Sequence, residues 1–335
     1  MFFVEIVKIR HLIIRLKAQM VKLFKLKSIF KVMMKKRYSD QELMKLLNVD
    51  KKTLDSFYLV QSQALAEAKR MAKLKKGKVK VLGISGSARD ENDMAQEKSN
   101  SEELLSQCLA SCQQLGGETE LLSLRDYEIK YCKACYSTAN TQCHFYCSCY
   151  PKGKSGDDMT NILYDKILAA DVLIFATPIN NFKVSSLMAT FLDRCINLDG
   201  SLMPADPKNP KNKELNIKQM KFIELTADDN VPGSGLLRRF LGKVGGIIVT
   251  GHEAGASMTI SSLFLTLNYF GMMFPPFSSV YAMSSICNST YQDKKIVISE
   301  CYTTEIKLLA ENLMTMAKWS RKTPVTEWKY NYGAN

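Results

Sequence analysis

Five cysteines lie close together in the sequence, within an 18-residue stretch. Cys132 and Cys135 form a C-x-x-C element, and such a turn presents two sulfurs to one metal. Thiolates are ligands for zinc and for iron–sulfur clusters. Cys147 and Cys149 are separated by one residue, so in an extended segment it is difficult for both to bind the same metal. If a metal is bound, the predicted ligands are therefore Cys132, Cys135, Cys143 and Cys147, with Cys149 as the alternate to Cys147.

The occupant of this cysteine cluster stays open from the residues alone. It can be an iron–sulfur cluster, a zinc ion for which His144 replaces one thiolate, or a loop of free or redox-active thiols. Ten cysteines in 335 residues are too few for a disulfide scaffold, and no secretory signal is visible. We therefore expect a cytoplasmic protein with reduced thiols.

A loop rich in hydroxyl groups follows the first predicted strand. Gly83-Ile84-Ser85-Gly86-Ser87-Ala88-Arg89 leads through a polar stretch to Ser99-Asn100-Ser101, where a helix begins. Backbone N–H groups, hydroxyls and a helix N-terminus can together wrap a phosphate. The Walker pattern and the dinucleotide fingerprint are absent. The G-x-S-x-G nucleophile elbow is also absent, because Ser87 occupies the position of its second glycine. The loop therefore predicts a phosphate site, with an ordinary turn as the alternative.

Two further loops connect a buried strand to a helix. They are Thr177-Pro178-Ile179-Asn180-Asn181-Phe182 and Gly251-His252-Glu253-Ala254-Gly255-Ala256-Ser257. Each can place backbone amides and a flat apolar or amide surface against a planar ring. His252-Glu253 is not followed by x-x-His, which excludes the zinc-protease motif.

The elements that position these loops alternate between strand and helix. Predicted strands are Val79–Ile84, Thr119–Leu124, 171–176, Val244–Thr250 and one within Met272–Tyr281, and predicted helices are Ser99–Leu115, Asp158–Ala169, Val184–Cys195, Met258–Phe270 and Tyr302–Trp319. Apolar strands between helices predict an α/β fold with a doubly wound, parallel, five-stranded sheet. Ligands bind such sheets at the carboxyl ends of the strands. The polar segment 203–235 is predicted to be a loop inserted before the fourth strand.

Composition and charge limit the classes of function. The chain is 46% hydrophobic and 24% charged, which indicates a globular protein. It lacks an uninterrupted apolar stretch of about 18 residues, so no membrane-spanning helix is predicted. The net charge of +13 arises in residues 1–78, which hold 20 lysines and arginines against six acids. The remainder is nearly neutral, so we expect no nucleic-acid binding by the main body.

The basic N-terminal part predicts a helical extension. Residues 1–37 form a basic amphipathic segment, for which we consider weak adsorption to an anionic membrane surface, packing on a partner, or translation start at Met33 or Met34. Residues 38–77 are predicted to be a helical appendage that opens with a capping box at Ser39 and Glu42. Residues 78–322 form the main domain, and 323–335 a C-terminal tail.

The motifs in combination resemble one family. "VLGISGSAR…SNSEELL", "DDM…ILAADVLIFATPI", "SSLMATFLDR" and "GGIIVTGHEAGA…GM" are similar to the NAD(P)H-dependent FMN reductases, a flavodoxin-like family that includes iron–sulfur flavoproteins. The resemblance covers roughly residues 78–319. It implies that the FMN phosphate is bound by Ser85, Ser87, Arg89, Ser99, Asn100 and Ser101. It also implies that the isoalloxazine ring is bordered by Pro178, Ile179, Asn180, Asn181 and Phe182, and at its other edge by Gly251, His252, Glu253, Ala254 and Gly255.

The resemblance implies an oxidoreductase in which no side chain acts as acid or base. Hydride would pass from NAD(P)H to FMN and on to a quinone, a flavin or an electron carrier, and a homodimer is expected. One alternative is an iron–sulfur flavoprotein that carries electrons, with a [4Fe–4S] cluster favoured over zinc at the cysteines. The cysteine spacing departs from the compact run of those members, because Thr138 takes the third position. The other alternative is a flavodoxin-like binding module without activity. Asp193-Arg194 matches the family's "DR", for which a structural role is expected.

Overall fold

A five-stranded parallel sheet forms the centre of the protein. The computed structural model describes residues 38–94, 96–97, 99–135, 143–228, 230–252, 255–284 and 302–324. The strands are β1 (Lys80–Ser85), β2 (Glu118–Ser123), β3 (Val172–Asn180), β4 (Lys183–Val184), β5 (Val244–His252) and β6 (Ser279–Ser284). The parallel strands follow the order β2-β1-β3-β5-β6, and short β4 pairs antiparallel with β3. This is the flavodoxin-like order, which confirms the predicted fold class.

Helices cover both faces of the sheet. In chain order, the helices of the described residues are α1 (Asp40–Leu47), α2 (Lys51–Met71), α3 (Asn100–Gln114), α4 (Tyr164–Ala169), α5 (Ser186–Cys195), α6 (Lys213–Thr226), α7 (Ala256–Tyr269) and α8 (Thr303–Ser320). Neighbouring strand residues point to opposite faces. Val81 therefore packs with α3 and α8 on one face, while Leu82 packs with α4 and α5 on the other.

The predicted segment boundaries differ from the structure in two places. The segment 203–235, predicted to be a loop, contains helix α6, whose Phe222 packs its ring against Phe57 of α2 at 5.5 Å between centroids. The predicted helix 158–169 begins as a π-helical turn at Met159–Leu163. Both differences arise because local composition does not encode the partner on which a segment packs.

The chain divides into two compact units after Asn48. Helix α2, which the sequence analysis placed in an appendage ending at residue 77, belongs to the second unit. Its Gln61 side chain donates to the Ser234 carbonyl at 2.6 Å, and its Glu67 pairs with Arg239. These contacts explain why α2 is part of the body.

The first unit contains the predicted capping box. The Ser39 hydroxyl accepts from the Glu42 backbone N–H, and the Glu42 carboxylate accepts from the Ser39 N–H at 2.7 Å. The basic segment 1–37 lies outside the described residues. Within the ranges that are described, no helix is long and apolar enough to cross a membrane.

Candidate functional site

The loops after β1 and β3 are in direct contact at the carboxyl edge of the sheet. The Gly86 backbone N–H donates to the Ala176 carbonyl at 2.7 Å, and the Ser185 hydroxyl donates to the Gly86 carbonyl. A Cβ at Gly86 would lie 2.8 Å from Met188 Cβ. Only glycine fits this approach, which brings the predicted phosphate loop against the start of α5.

The loop after β5 completes this edge. Pro178 of β3 lies opposite Thr250 of β5 in the sheet register. A Cβ at Gly255, whose φ is +91°, would lie 2.7 Å from Phe182 Cα. The loops after β3 and β5 therefore touch. Glu253 and Ala254 lie outside the described residues, and His252 is described only by its backbone.

Buried hydroxyls line the predicted phosphate loop. The side-chain oxygens of Ser99 and Ser101 lie 3.2 Å apart, and the Ser87 hydroxyl accepts from the Arg89 N–H. Ser99 caps α3 by accepting from the backbone of its third residue. Asn100 Oδ1 is buried and has no hydrogen-bond partner among the described residues. An amide oxygen accepts hydrogen bonds, so it would be satisfied by a donor group; a phosphate would instead be bound by the hydroxyls and by the backbone N–H groups at the N-terminus of α3.

Glu102 organises this loop, although the sequence analysis did not single it out. Its carboxylate accepts from both terminal nitrogens of Arg125, at 2.6 and 2.9 Å, and from the Ser123 hydroxyl at 3.0 Å. Burial favours the neutral acid, but hydrogen bonds from Arg125, Ser85 and Ser123 outweigh it and hold the pKa of Glu102 below its ordinary value. Ser85 therefore interacts with a protein carboxylate. The available signal was a glutamate at the third helical position, where it usually completes a capping box.

A strained hairpin turn presents an aromatic ring at the edge of the site. Asn181 and Phe182 join β3 to β4 and both have positive φ, at +49° and +65°. A two-residue hairpin with both central residues in this region is a type I′ turn, which strongly favours glycine at its second position. Phe182 occupies that position and remains 59% exposed. The turn therefore holds an exposed ring beside Gly255 of the loop after β5.

The five clustered cysteines converge on one small cavity. All five line a space of about 10 Å³, and Cys135 Sγ lies 4.0 Å from Cys149 Sγ. Hydrogen bonding from Cys143, together with burial, raises the pKa of Cys135 to about 12.

The described residues give no support for the predicted [4Fe–4S] cluster. The space between the thiols, about 10 Å³, holds roughly one water molecule. Across the described ranges, no three His, Cys, Asp or Glu side chains are placed to hold a metal ion. The metal ligands, including the zinc alternative, therefore stay a prediction.

A buried ion pair lies beside the thiols. The Arg194 guanidinium donates to both carboxylate oxygens of Asp157 at 2.8 Å, and it lies over the Tyr150 ring at 4.7 Å from the centroid. Asp157 is fully buried. Burial raises the pKa of its carboxyl, but the bonds from Arg194, Lys130 and Thr160 outweigh this and lower it overall. This pair gives a structural reason for the "DR" and "DDM" motifs.

Comparison with known proteins identifies similar sequences and folds. A family model described as NADPH-dependent FMN reductase matches residues 79–285. Two curated proteins of Archaeoglobus fulgidus, both named iron-sulfur flavoprotein, are 28% and 29% identical over 116 and 115 residues, or 35% and 34% of this chain. The chain spans about half the length of these relatives, 48% and 50%.

One solved structure has a similar fold. RosB with bound 8-demethyl-8-formylriboflavin-5'-phosphate is 20% identical, with a TM-score of 0.50 over 74% of this chain and 82% of that chain. At this identity, the likeness establishes the fold alone.

Proposed function

Because the chain belongs to the NADPH-dependent FMN reductase family, we propose that it is an FMN-dependent NAD(P)H oxidoreductase. A bound FMN would supply a flavin ring able to accept hydride from the nicotinamide and to reduce a second molecule such as a quinone, a flavin or an electron carrier. The observation that carries the proposal is the loop of buried hydroxyls that leads to the N-terminus of α3. That loop lies at the carboxyl edge of a flavodoxin-like sheet, where ligands of this fold bind.

The phosphate loop would hold the FMN phosphate. The Asn100 amide, the hydroxyls of Ser87, Ser99 and Ser101 and the N-terminus of α3 supply neutral hydrogen-bonding groups, and Arg89 supplies positive charge. A carboxylate so close would repel a phosphate if it were unpaired. The bidentate pair with Arg125 neutralises Glu102 and removes this repulsion.

The strained hairpin and the loop after β5 would border the isoalloxazine ring. Phe182 offers an exposed aromatic surface, and Gly251 lies against Ile179 at the base of the hairpin, with its added Cβ 3.2 Å from Ile179 Cβ. The flavin itself carries the chemistry, so these residues position the ring and limit water access. No side chain of the chain is required as acid or base.

We also propose a homodimer formed through α7. This helix carries no charged residue, and four of its large apolar side chains are more than a third exposed: Met258, Phe264, Leu265 and Tyr269. An uncharged helix face with exposed aromatics is typical of the core of a protein interface. Sedimentation equilibrium measures the oligomeric state: the parent protein should be a dimer, and Leu265→Lys should shift it towards monomer. A monomeric parent protein would contradict the proposal.

The flavin assignment is tested by FMN content and titration. Arg89→Ala should weaken FMN affinity about ten- to a hundredfold, because a charge-assisted hydrogen bond contributes about 1.5–3 kcal/mol. Ser87→Ala should weaken it less. Lys69→Gln, which removes a charge from an exposed position of α2 outside the cavities, is the matched control. Unchanged FMN affinity in both Arg89→Ala and Ser87→Ala would refute the phosphate site, and oxidation of neither NADH nor NADPH by the FMN-loaded protein would refute the activity.

A further inference from the structure

A second cavity lies at the opposite edge of the sheet from the candidate site. It measures about 290 Å³ and is lined in part by Asp171, which immediately precedes β3, and Lys243, which immediately precedes β5. Because the five strands are parallel, this edge contains their amino ends. The C-terminal end of α2 and the residues that follow α8 complete the walls. The cavity therefore shares no residue with the proposed FMN site.

Positive charge predominates in this cavity. Two carboxylates and six basic side chains line it: Glu67 and Asp171 against Arg70, Lys73, Lys75, Arg239, Lys243 and Arg321. Glu67 forms an ion pair with Arg239, which donates two hydrogen bonds of 2.9 and 3.0 Å to its carboxylate. Asp171 pairs with Lys75 at 2.7 Å. Four basic groups therefore remain in excess.

One of these groups, Arg321, has an unpaired donor that an anion would satisfy. The Arg321 Nε–H is buried and has no hydrogen-bond acceptor among the described residues, since its nearest carboxylate oxygen, Asp171 Oδ2, lies 3.8 Å away. The Lys243 side chain is buried and donates to the carbonyls of Leu168 and Ala170, at the end of α4. Burial and the nearby Lys75 lower the pKa of Lys243 to about 7. Positive charge is thus crowded here without enough carboxylate to balance it.

We propose that this cavity binds a phosphorylated small organic molecule. Arg70, Lys73 and the free Arg321 Nε–H supply charge-assisted donors to a phosphate group. Met71, Leu168 and Leu241 supply an apolar wall against which the organic part packs. This second site does not depend on the proposed oxidoreductase function.

Calorimetric titration of the FMN-loaded protein with adenosine 5′-monophosphate tests the proposal, with adenosine and inorganic phosphate as the comparison ligands. The monophosphate should bind, and its affinity should fall with added salt, because the contacts are between charges. Adenosine should not bind. Absence of binding by the monophosphate at millimolar concentration would overturn the proposed site. Equal affinity for inorganic phosphate would show that the apolar wall does not contribute to binding and would overturn the proposal of an organic ligand.

A pair of neighbouring charge substitutions locates the binding. Arg70→Gln and Lys73→Gln should each weaken the monophosphate about three- to tenfold. Lys69→Gln removes the same charge from the adjacent position of α2, which does not line the cavity, and should leave affinity unchanged. Equal loss in Lys69→Gln and Arg70→Gln would overturn the assigned location. FMN absorbance in the same samples separates this result from the proposed function, because loss of FMN concerns only the other edge of the sheet.

Discussion

Replacement of Phe182 by glycine separates the backbone strain of the hairpin from its function. Glycine adopts the left-handed conformation without strain, which stabilises the folded protein by about 1–2 kcal/mol. The greater freedom of glycine in the unfolded chain costs about 0.5–1 kcal/mol. Loss of a ring that is 59% exposed costs about 1 kcal/mol more. The free energy of unfolding of Phe182→Gly should therefore change by less than about 1 kcal/mol.

Two other phenylalanines provide matched controls. Phe277 also has a positive φ, +55°, and is 47% exposed, so Phe277→Gly should be similarly mild. Phe264 lies in the regular helix α7 and is 39% exposed. No strain is relieved there, and the ring also lies in the proposed dimer contact, so Phe264→Gly should lower the free energy of unfolding by at least about 2 kcal/mol.

Denaturant unfolding and FMN titration measure the two effects separately. Loss of an aromatic contact with the ring should weaken FMN about two- to tenfold in Phe182→Gly, because such contacts contribute about 0.5–1.5 kcal/mol. Phe277→Gly should bind FMN like the parent protein. The reasoning fails if Phe182→Gly is destabilised as much as Phe264→Gly, or if its FMN affinity is unchanged.

Three further predictions concern the packing of the site and its surroundings. Gly86→Ala should lower the free energy of unfolding by about 1–3 kcal/mol in chemical denaturation and weaken FMN, because the added Cβ meets Met188 Cβ; Gly83→Ala meets only the flexible ends of leucines and should be milder. Asp157→Asn should cost about 3–5 kcal/mol at pH 7, because it leaves buried Arg194 unpaired. Because the pKa of Asp157 is lowered in the folded protein, its stabilisation of the fold is present above the unfolded pKa of about 3.9 and is lost as the pH falls through the folded pKa. The difference in free energy of unfolding between the parent and Asp157→Asn should therefore shrink in acid. A difference that stays the same in acid would contradict the ion pair as its cause. Metal that copurifies should be absent from Cys132→Ser and Cys135→Ser and kept in Cys195→Ser by elemental analysis, and metal retained in both of the first two variants would show that the predicted ligands are wrong.

The sequence determined those features that neighbouring residues specify. Apolar runs placed the first four of the parallel strands to within a few residues, whereas the last, β6, overlaps the predicted segment 272–281 only at residues 279–281. The Ser39 capping box formed as predicted, because its partners are three positions apart. The loops after β1, β3 and β5 were placed at one edge, since parallel strands bring their carboxyl ends together. Helix α6 was missed because its polar sequence does not show that Phe222 packs against Phe57 of α2.

The tertiary structure decided which distant residues meet. Glu102 has the sequence position of a capping-box residue, yet its carboxylate pairs with Arg125 from beyond the next strand. The left-handed backbone of Phe182 follows from the two-residue connection between β3 and β4. The sequence Asn-Phe does not predict such a turn, because its second position favours glycine. Lys75 and Asp171, 96 positions apart, meet only because strand order places them beside the same cavity. Local sequence fixes dihedral preferences and buried faces, whereas long-range pairs form where the packed sheet and helices bring opposite charges together.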